Sequence, residues 1–259
     1  MIEVNNISKI FELTKKQRKE NNTSECEAVA VKDVTFSCQS GRVFSLLGPN
    51  GAGKTTTLRM IATLLAPTKG TIVVNGFDTI KNPEQARRSM GFLTGSTGLY
   101  ERLTPNEIIA YFGELYSVPK SAFEERKEAL FTLLDMHDFQ HKRIGRLSTG
   151  MRQKVSIART MIHDPQVVIF DEPTSGLDVI TAENIIKLID NCRTEGKTVI
   201  FSSHIMSEVD LLCDDLAIIH KGEILFNDTM ENFRSQMQAP NLTAEFIRIV
   251  QNTTKTELV

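Results

Sequence analysis

Residues 28–36 (AVAVKDVTF) alternate imperfectly between apolar and polar positions and are rich in Val, which predicts a strand. A short unbroken apolar run follows at 43–47 and ends in GPNG, the pattern of a buried strand running into a glycine loop. Leu58, Ile61, Ala62 and Leu65 then fall at helical spacing and predict a helix over 55–65. Residues 71–75, closed by Gly76, predict another short strand.

From 104 to about 164 the pattern becomes helical. Thr104, Pro105 and Glu107 supply an N-cap, a proline at the first helical position and an acid at N3, and Ser121 and Ser148 are further expected N-caps. Residues 167–170 (VVIF) read as a second buried strand. A helix over 179–194 is closed by Gly196, and a strand at 198–202, a short helix near 206–213 and strand-like stretches at 216–219 and 223–227 follow. Strands alternating with helices predict an α/β fold with a mostly parallel sheet covered on both faces.

Length fits this picture as one domain over 1–259, with a helical subdomain inserted at about 96–165 and an exposed loop at about 12–27 around KKQRKE. A chain of 259 residues can bury a full core without disulfides or metals. Thirty basic against thirty-two acidic residues leave a net charge of −2, which does not advertise nucleic acid as a partner. Cys26, Cys38, Cys192 and Cys213 form no CxxC pair and no zinc-spaced cluster, the pattern of reduced thiols in a cytosolic chain. The start MIEVNNISKIF lacks a basic-then-apolar leader, and the apolar runs are far short of the ~20 residues that span a bilayer. Any membrane role therefore calls for a partner chain.

Gly48-Pro49-Asn50-Gly51-Ala52-Gly53-Lys54-Thr55 matches GxxxxGK[ST], between a buried strand and a helix as the phosphate-cradling mechanism requires. The glycines turn successive backbone N–H groups toward one point, and the helix adds its positive dipole end. Lys54 is expected on the β- and γ-phosphates of ATP and the Thr55 hydroxyl on Mg²⁺, with Thr56 completing the nucleotide-binding stretch. Asp171 and Glu172 stand at the carboxyl end of the second buried strand, where ligands sit in such sheets. Asp171 suits Mg²⁺, and Glu172 suits the polarising of an attacking water.

Leu147-Ser148-Thr149-Gly150-Met151 resembles the LSGGQ signature of the ABC transporter ATPase family. Thr149 interrupts the Gly pair and Met151 replaces Gln, while Ser148 and Gly150 remain. Nineteen residues, 152–170, separate this segment from Asp171-Glu172, as in that family. Ser175-Gly176-Leu177-Asp178 resembles its D-loop and Ser202-Ser203-His204 its switch histidine; Phe11 stands where the family carries an adenine-stacking aromatic. His137, His141, His163 and His220 match no motif.

The resemblance covers residues 1 to about 233. It implies a P-loop NTPase core, a small antiparallel β subdomain and an inserted helical subdomain. Two such chains would face head to tail, as a homodimer or with another nucleotide-binding subunit. Ser148, Gly150 and Asp178 would help bind ATP across that interface, with Glu172 and His204 catalytic. A transmembrane permease would be the partner, and the chain would lie on the cytoplasmic face of the membrane, touching it only through that partner. Leu99, Tyr100 and Leu103 are candidates for the docking surface.

One position departs: Gly95 falls where the family usually carries a Gln that meets Mg²⁺ and the membrane partner. The stretch GFLTGSTGLYERLT is similar to the ATP-binding subunits of sodium-extruding ABC exporters of the NatA type, which implies export and points to sodium ions as cargo. The alternative, a soluble ABC ATPase acting on nucleic acid or ribosomes, usually carries two nucleotide domains or a long coiled coil. This chain has one phosphate loop, no heptad run and no basic excess.

Overall fold

The computed structural model describes residues 1–20, 22–94 and 98–256, the last four of these by backbone alone. Gly95, the position of the missing Gln, lies outside the described residues. The chain opens with β1 (Ile2–Glu12), α1 (Lys15–Glu20), β2 (Glu27–Cys38), β3 (Val43–Leu47) and α2 (Lys54–Ile61). Next come β4 (Lys69–Val74), β5 (Phe77–Asp78), α3 (Pro83–Arg88) and β6 (Met90–Thr94). A helical stretch holds α4 (Pro105–Leu115), α5 (Lys120–Leu133) and α6 (Thr149–Met161). It leads to β7 (Val167–Asp171), α7 (Val179–Thr194), β8 (Thr198–Ser203) and α8 (Met206–Leu212). The chain closes with β9 (Asp215–His220), β10 (Glu223–Thr229), α9 (Met230–Gln236) and α10 (Leu242–Thr256).

Two sheets form. Six strands run in the order β10-β9-β3-β8-β7-β6, all pairs parallel except β10 on β9. Four further strands, β2-β1-β4-β5, pair antiparallel. The α/β class with a mostly parallel sheet and a small antiparallel sheet is therefore the one observed.

Every residue of β3, β7 and β8 is buried, as expected for parallel strands covered on both faces. Their period of two divides the molecule into two cores. Val43, Leu47, Val168, Phe170, Val199 and Phe201 point to the side of α4–α8. Phe44, Leu46, Val167, Ile169 and Ile200 point to the side of the antiparallel sheet and α2.

Several local expectations change in detail. Thr104 forms the full capping box with Glu107, and Ser148 accepts from the Met151 N–H at the start of α6. Ser121 caps nothing: Pro119 takes an extended conformation (ψ 140°) that starts α5 at Lys120, leaving Ser121 inside the first turn. The helix expected over 55–65 stops at Ile61, because Thr63 turns left-handed at φ 60°. The segment 12–27 is the tip of the β1–β2 hairpin and carries α1, no residue of which is buried.

Candidate nucleotide site

The phosphate loop leaves the carboxyl end of β3 and enters α2. Gly53 sits at the N-cap of α2 with φ 105°, and a Cβ there would lie 2.7 Å from the Ala30 carbonyl oxygen. Only glycine meets both demands at low cost. Gly48 is fixed by crowding instead: its Cβ would fall 2.3 Å from the Ile219 carbonyl oxygen. No side chain caps α2, so its first N–H groups remain turned toward the loop, an anion-binding arrangement.

Lys54 is buried at 4% exposure. Its ammonium donates to the Gly48 carbonyl at 2.7 Å and the Pro49 carbonyl at 3.2 Å, and lies 3.3 Å from Glu172 Oε1. The same Oε1 is 3.3 Å from His204 Nδ1, so Glu172 lies between the lysine and the histidine. Thr55 Oγ1 donates to Asp171 Oδ1 at 3.0 Å.

Ser202 at the end of β8 ties the strand ends together. Its hydroxyl donates to Asp171 Oδ1 at 2.8 Å and accepts the Glu172 N–H at 3.1 Å. Glu172 thereby holds a left-handed backbone, φ 50°, that non-glycine residues rarely adopt. Glu208 on α8 accepts hydrogen bonds from Thr174 and Ser203, bracing the turn that carries His204.

A cleft of about 630 Å³ opens over this arrangement. All positions from Pro49 to Thr56 line it, with Ala30, Thr94, Asp171 and Glu172; Thr149 and Gln153 of α6 reach its far side. The opposed charges of Lys54, Asp171 and Glu172 and the run of loop N–H groups suit a polyphosphate carrying a cation.

The structure thus brings Asn50, Gly51, Ala52, Gly53, Lys54, Thr55, Thr56, Asp171 and Glu172 together. Gly48 supports the loop from beneath. Phe11, Ser148, Gly150 and Asp178 do not line the cleft. Phe11 is half-buried on β1 with the Lys9 ammonium 5.2 Å over its ring. Ser148 caps α6 and Asp178 caps α7. Thr181, through its backbone N–H and hydroxyl, holds the Asp178 carboxyl below its usual pKa. The two caps are neighbours, since a Cβ on Gly150 would lie 3.4 Å from Asp178 Oδ2.

Sequence reasoning missed the bridging work of Ser202, the brace at Glu208 and the side chain of Gln153, whose Nε2 donates to the Pro173 carbonyl at 3.2 Å. A Ser at a strand end beside an acidic pair was a usable signal for the first. The other two depend on tertiary contacts. Of the expected docking residues, Leu99 and Leu103 pack against the core, and Tyr100 is 60% exposed.

A phosphate loop entering a helix, with an acidic pair at the carboxyl end of β7, one strand beyond the β8 neighbour of β3, defines a nucleotide-hydrolysing P-loop fold. Residues 31–175 match the family described as ABC transporter. NatA, an ABC transporter ATP-binding protein of Bacillus subtilis, is 45% identical over 219 residues, covering 84% of this chain and 89% of NatA. BcrA, the bacitracin transport ATP-binding protein of Bacillus licheniformis, is 36% identical over 76% of this chain and 63% of its own. Among solved structures, the ATP-binding subunit of an ABC transporter superposes with a TM-score of 0.84 at 27% identity, over 96% of this chain and 99% of that one. The fold is also that of the dimeric ATP-binding cassette MJ0796 bound to ADP and Pi, with a TM-score of 0.77 at 24% identity, over 89% and 99% of the chains. The chain belongs to the ABC transporter ATP-binding family and is an ABC ATPase.

Proposed function

We propose that this chain hydrolyses ATP to drive an exporter whose membrane path is a separate transmembrane subunit, with sodium ions as the cargo. The observation that carries the hydrolytic reading is the Lys54–Glu172–His204 contact beside the Thr55–Asp171 pair, at the mouth of the cleft. The 45% identity to NatA supports the transport reading and is the ground for naming sodium.

On this reading Lys54 moves from the loop carbonyls to the β- and γ-phosphates. Glu172, released from the ammonium, takes a proton from the attacking water as the water oxygen bonds to the γ-phosphorus. The bond from that phosphorus to the bridging oxygen breaks, ADP leaves with the electron pair on that oxygen, His204 donates a hydrogen bond to the γ-phosphate, and the proton on Glu172 passes to the product phosphate or to solvent. Ser202 keeps Asp171 and Glu172 in register.

The donor set fits Mg²⁺. Thr55 Oγ1 and Asp171 Oδ1 are hard oxygens at the cleft edge, and Mg²⁺ commonly takes one or two protein ligands beside phosphate and water. Among the described residues, no group of three or more His, Cys, Asp or Glu side chains is placed to hold a metal ion, so a denser cage is not on offer. Bound there, the metal would neutralise charge on the β- and γ-phosphate oxygens.

Two chains would close head to tail, each offering Ser148, Gly150 and Asp178 to the other's nucleotide; the dimeric state of the MJ0796 cassettes supports the pairing itself. No helix among the described residues is long and apolar enough to cross a membrane, so membrane contact on the cytoplasmic face would run through the partner.

The decisive experiment is Glu172→Gln. ATP affinity should persist while hydrolysis slows about 10²-fold or more, the scale of a lost general base. ATP should then trap a dimer visible by gel filtration. Unchanged turnover would remove Glu172 from this role. For cargo, ATP-dependent sodium movement in vesicles holding chain and partner is expected; movement of another solute instead would overturn sodium.

A further inference from the structure

Arg159, on the last turn of α6, is 9% exposed, yet no carboxylate among the described residues pairs with it. Arginine stays protonated in proteins, so the charge cannot be shed. Burial disfavours the charged form, and its visible compensation is the Phe112 ring, whose centroid lies 5.2 Å from the guanidinium carbon. A buried cation held by one aromatic face has its hydrogen-bonding capacity toward an anion still unspent.

Arg159 lines a cavity of about 200 Å³ between β6, α4 and α6. The same lining includes Tyr116 stacked on His163, ring centroids 3.8 Å apart. The His163 Nε2 lies 3.1 Å from the Met90 carbonyl oxygen, which it meets as a donor, and its Nδ1 is buried without a partner. Arg87 adds a second positive influence on Tyr116. Asp164, the acid beside His163 in the chain, is already taken: Lys197 lies 2.8 Å from one carboxylate oxygen and Arg126 3.1 Å from the other. Among the described residues, the lining carries the Arg159 cation and no carboxylate. Its outer surroundings on α4 and the preceding loop are apolar and exposed, with Tyr111 48%, Leu115 59% and Tyr100 60% accessible.

We infer that the cavity beside Arg159 is a carboxylate-binding site. A planar guanidinium matches a carboxylate bidentately, and a space of about 200 Å³ admits that group with a short aliphatic stem. The carboxylate comes either from a free small organic acid or from an acidic side chain of the transmembrane partner. The second source rests on the function proposed above, and the first does not.

Acetate, exchanged for chloride at constant ionic strength, is the probe for the isolated full chain, read by NMR of the Tyr116 and His163 rings. Saturable shifts in the wild type that vanish in Arg159→Gln assign the site to free carboxylates. Absent saturation, assembly with the membrane partner at least tenfold weaker for Arg159→Gln, at equal ATPase of the isolated subunits, assigns it to a partner side chain. Arg159→Lys keeps the charge without the fork; if the Gln variant fails to fold, Lys should lose the same response by about tenfold. Neither effect in either variant overturns the site. A chain that hydrolyses ATP and binds acetate but assembles with no membrane protein would defeat the transport reading and leave the site standing.

Discussion

Lys54 and Glu172 form a charge pair inside the cleft, with the ammonium 4% exposed and its remaining hydrogen bonds spent on two loop carbonyls. An incoming polyphosphate replaces one anion by a larger one at a cation that is already desolvated and aimed. Lys54→Ala should therefore abolish tight ATP binding and turnover together, by at least a hundredfold in affinity, about 2.7 kcal/mol. Calorimetric titration with ATP checks this, and near-normal affinity would defeat the phosphate-loop assignment.

At the scale of elements, two helix starts do different work. The start of α2 is left without a side-chain cap and is shaped by Gly53 in a conformation that L side chains avoid. Gly53→Ala should push the loop away from the Ala30 carbonyl and lower ATP affinity at least tenfold, about 1.4 kcal/mol, while circular dichroism stays unchanged. The start of α4 is instead closed by Thr104 and Glu107, each accepting the other's backbone N–H. Thr104→Ala should cost about 1 kcal/mol, lowering the melting temperature by about 2–4 °C, with ATP affinity untouched. Opposite outcomes at the two sites would mean that the roles of cap and cradle are exchanged.

For the whole molecule, acid sensitivity has a buried contributor. Burial pushes the His163 imidazole down from 6.5 to about 4. Between those values the unfolded chain binds a proton that the folded chain refuses. Stability is complete above pH 6.5 and is lost as pH falls toward 4, by about 2–3 kcal/mol from this group. His163→Phe retains an aromatic ring against Tyr116 and cannot titrate. Urea midpoints of wild type and variant should diverge between pH 6.5 and 4, the variant flattening. Parallel curves would place the acid sensitivity elsewhere, for instance in the Asp164 carboxyl that Lys197 and Arg126 hold below its usual pKa despite burial.

The chain by itself determined the parts whose chemistry is local. GPNGAGKT between an apolar run and a helical pattern, VVIF ahead of Asp171-Glu172, and the Thr104 and Ser148 caps are each legible because a few neighbouring residues suffice to make them. Gly53 and Gly48 were readable as glycines of a phosphate loop, though not the separate reasons that fix each of them. Tertiary structure alone decided what depends on residues far apart in sequence. Asp171 meets Thr55 and Ser202 across separations of 116 and 31 residues, and no local pattern encodes that meeting. It also decided which face of β3, β7 and β8 looks to which core, since an unbroken apolar strand carries no alternation to read. Arg159 is the clearest case: on a helix of mixed polarity it reads as a solvated cation, and only the packing of Phe112, Tyr116 and His163 around it takes the water away.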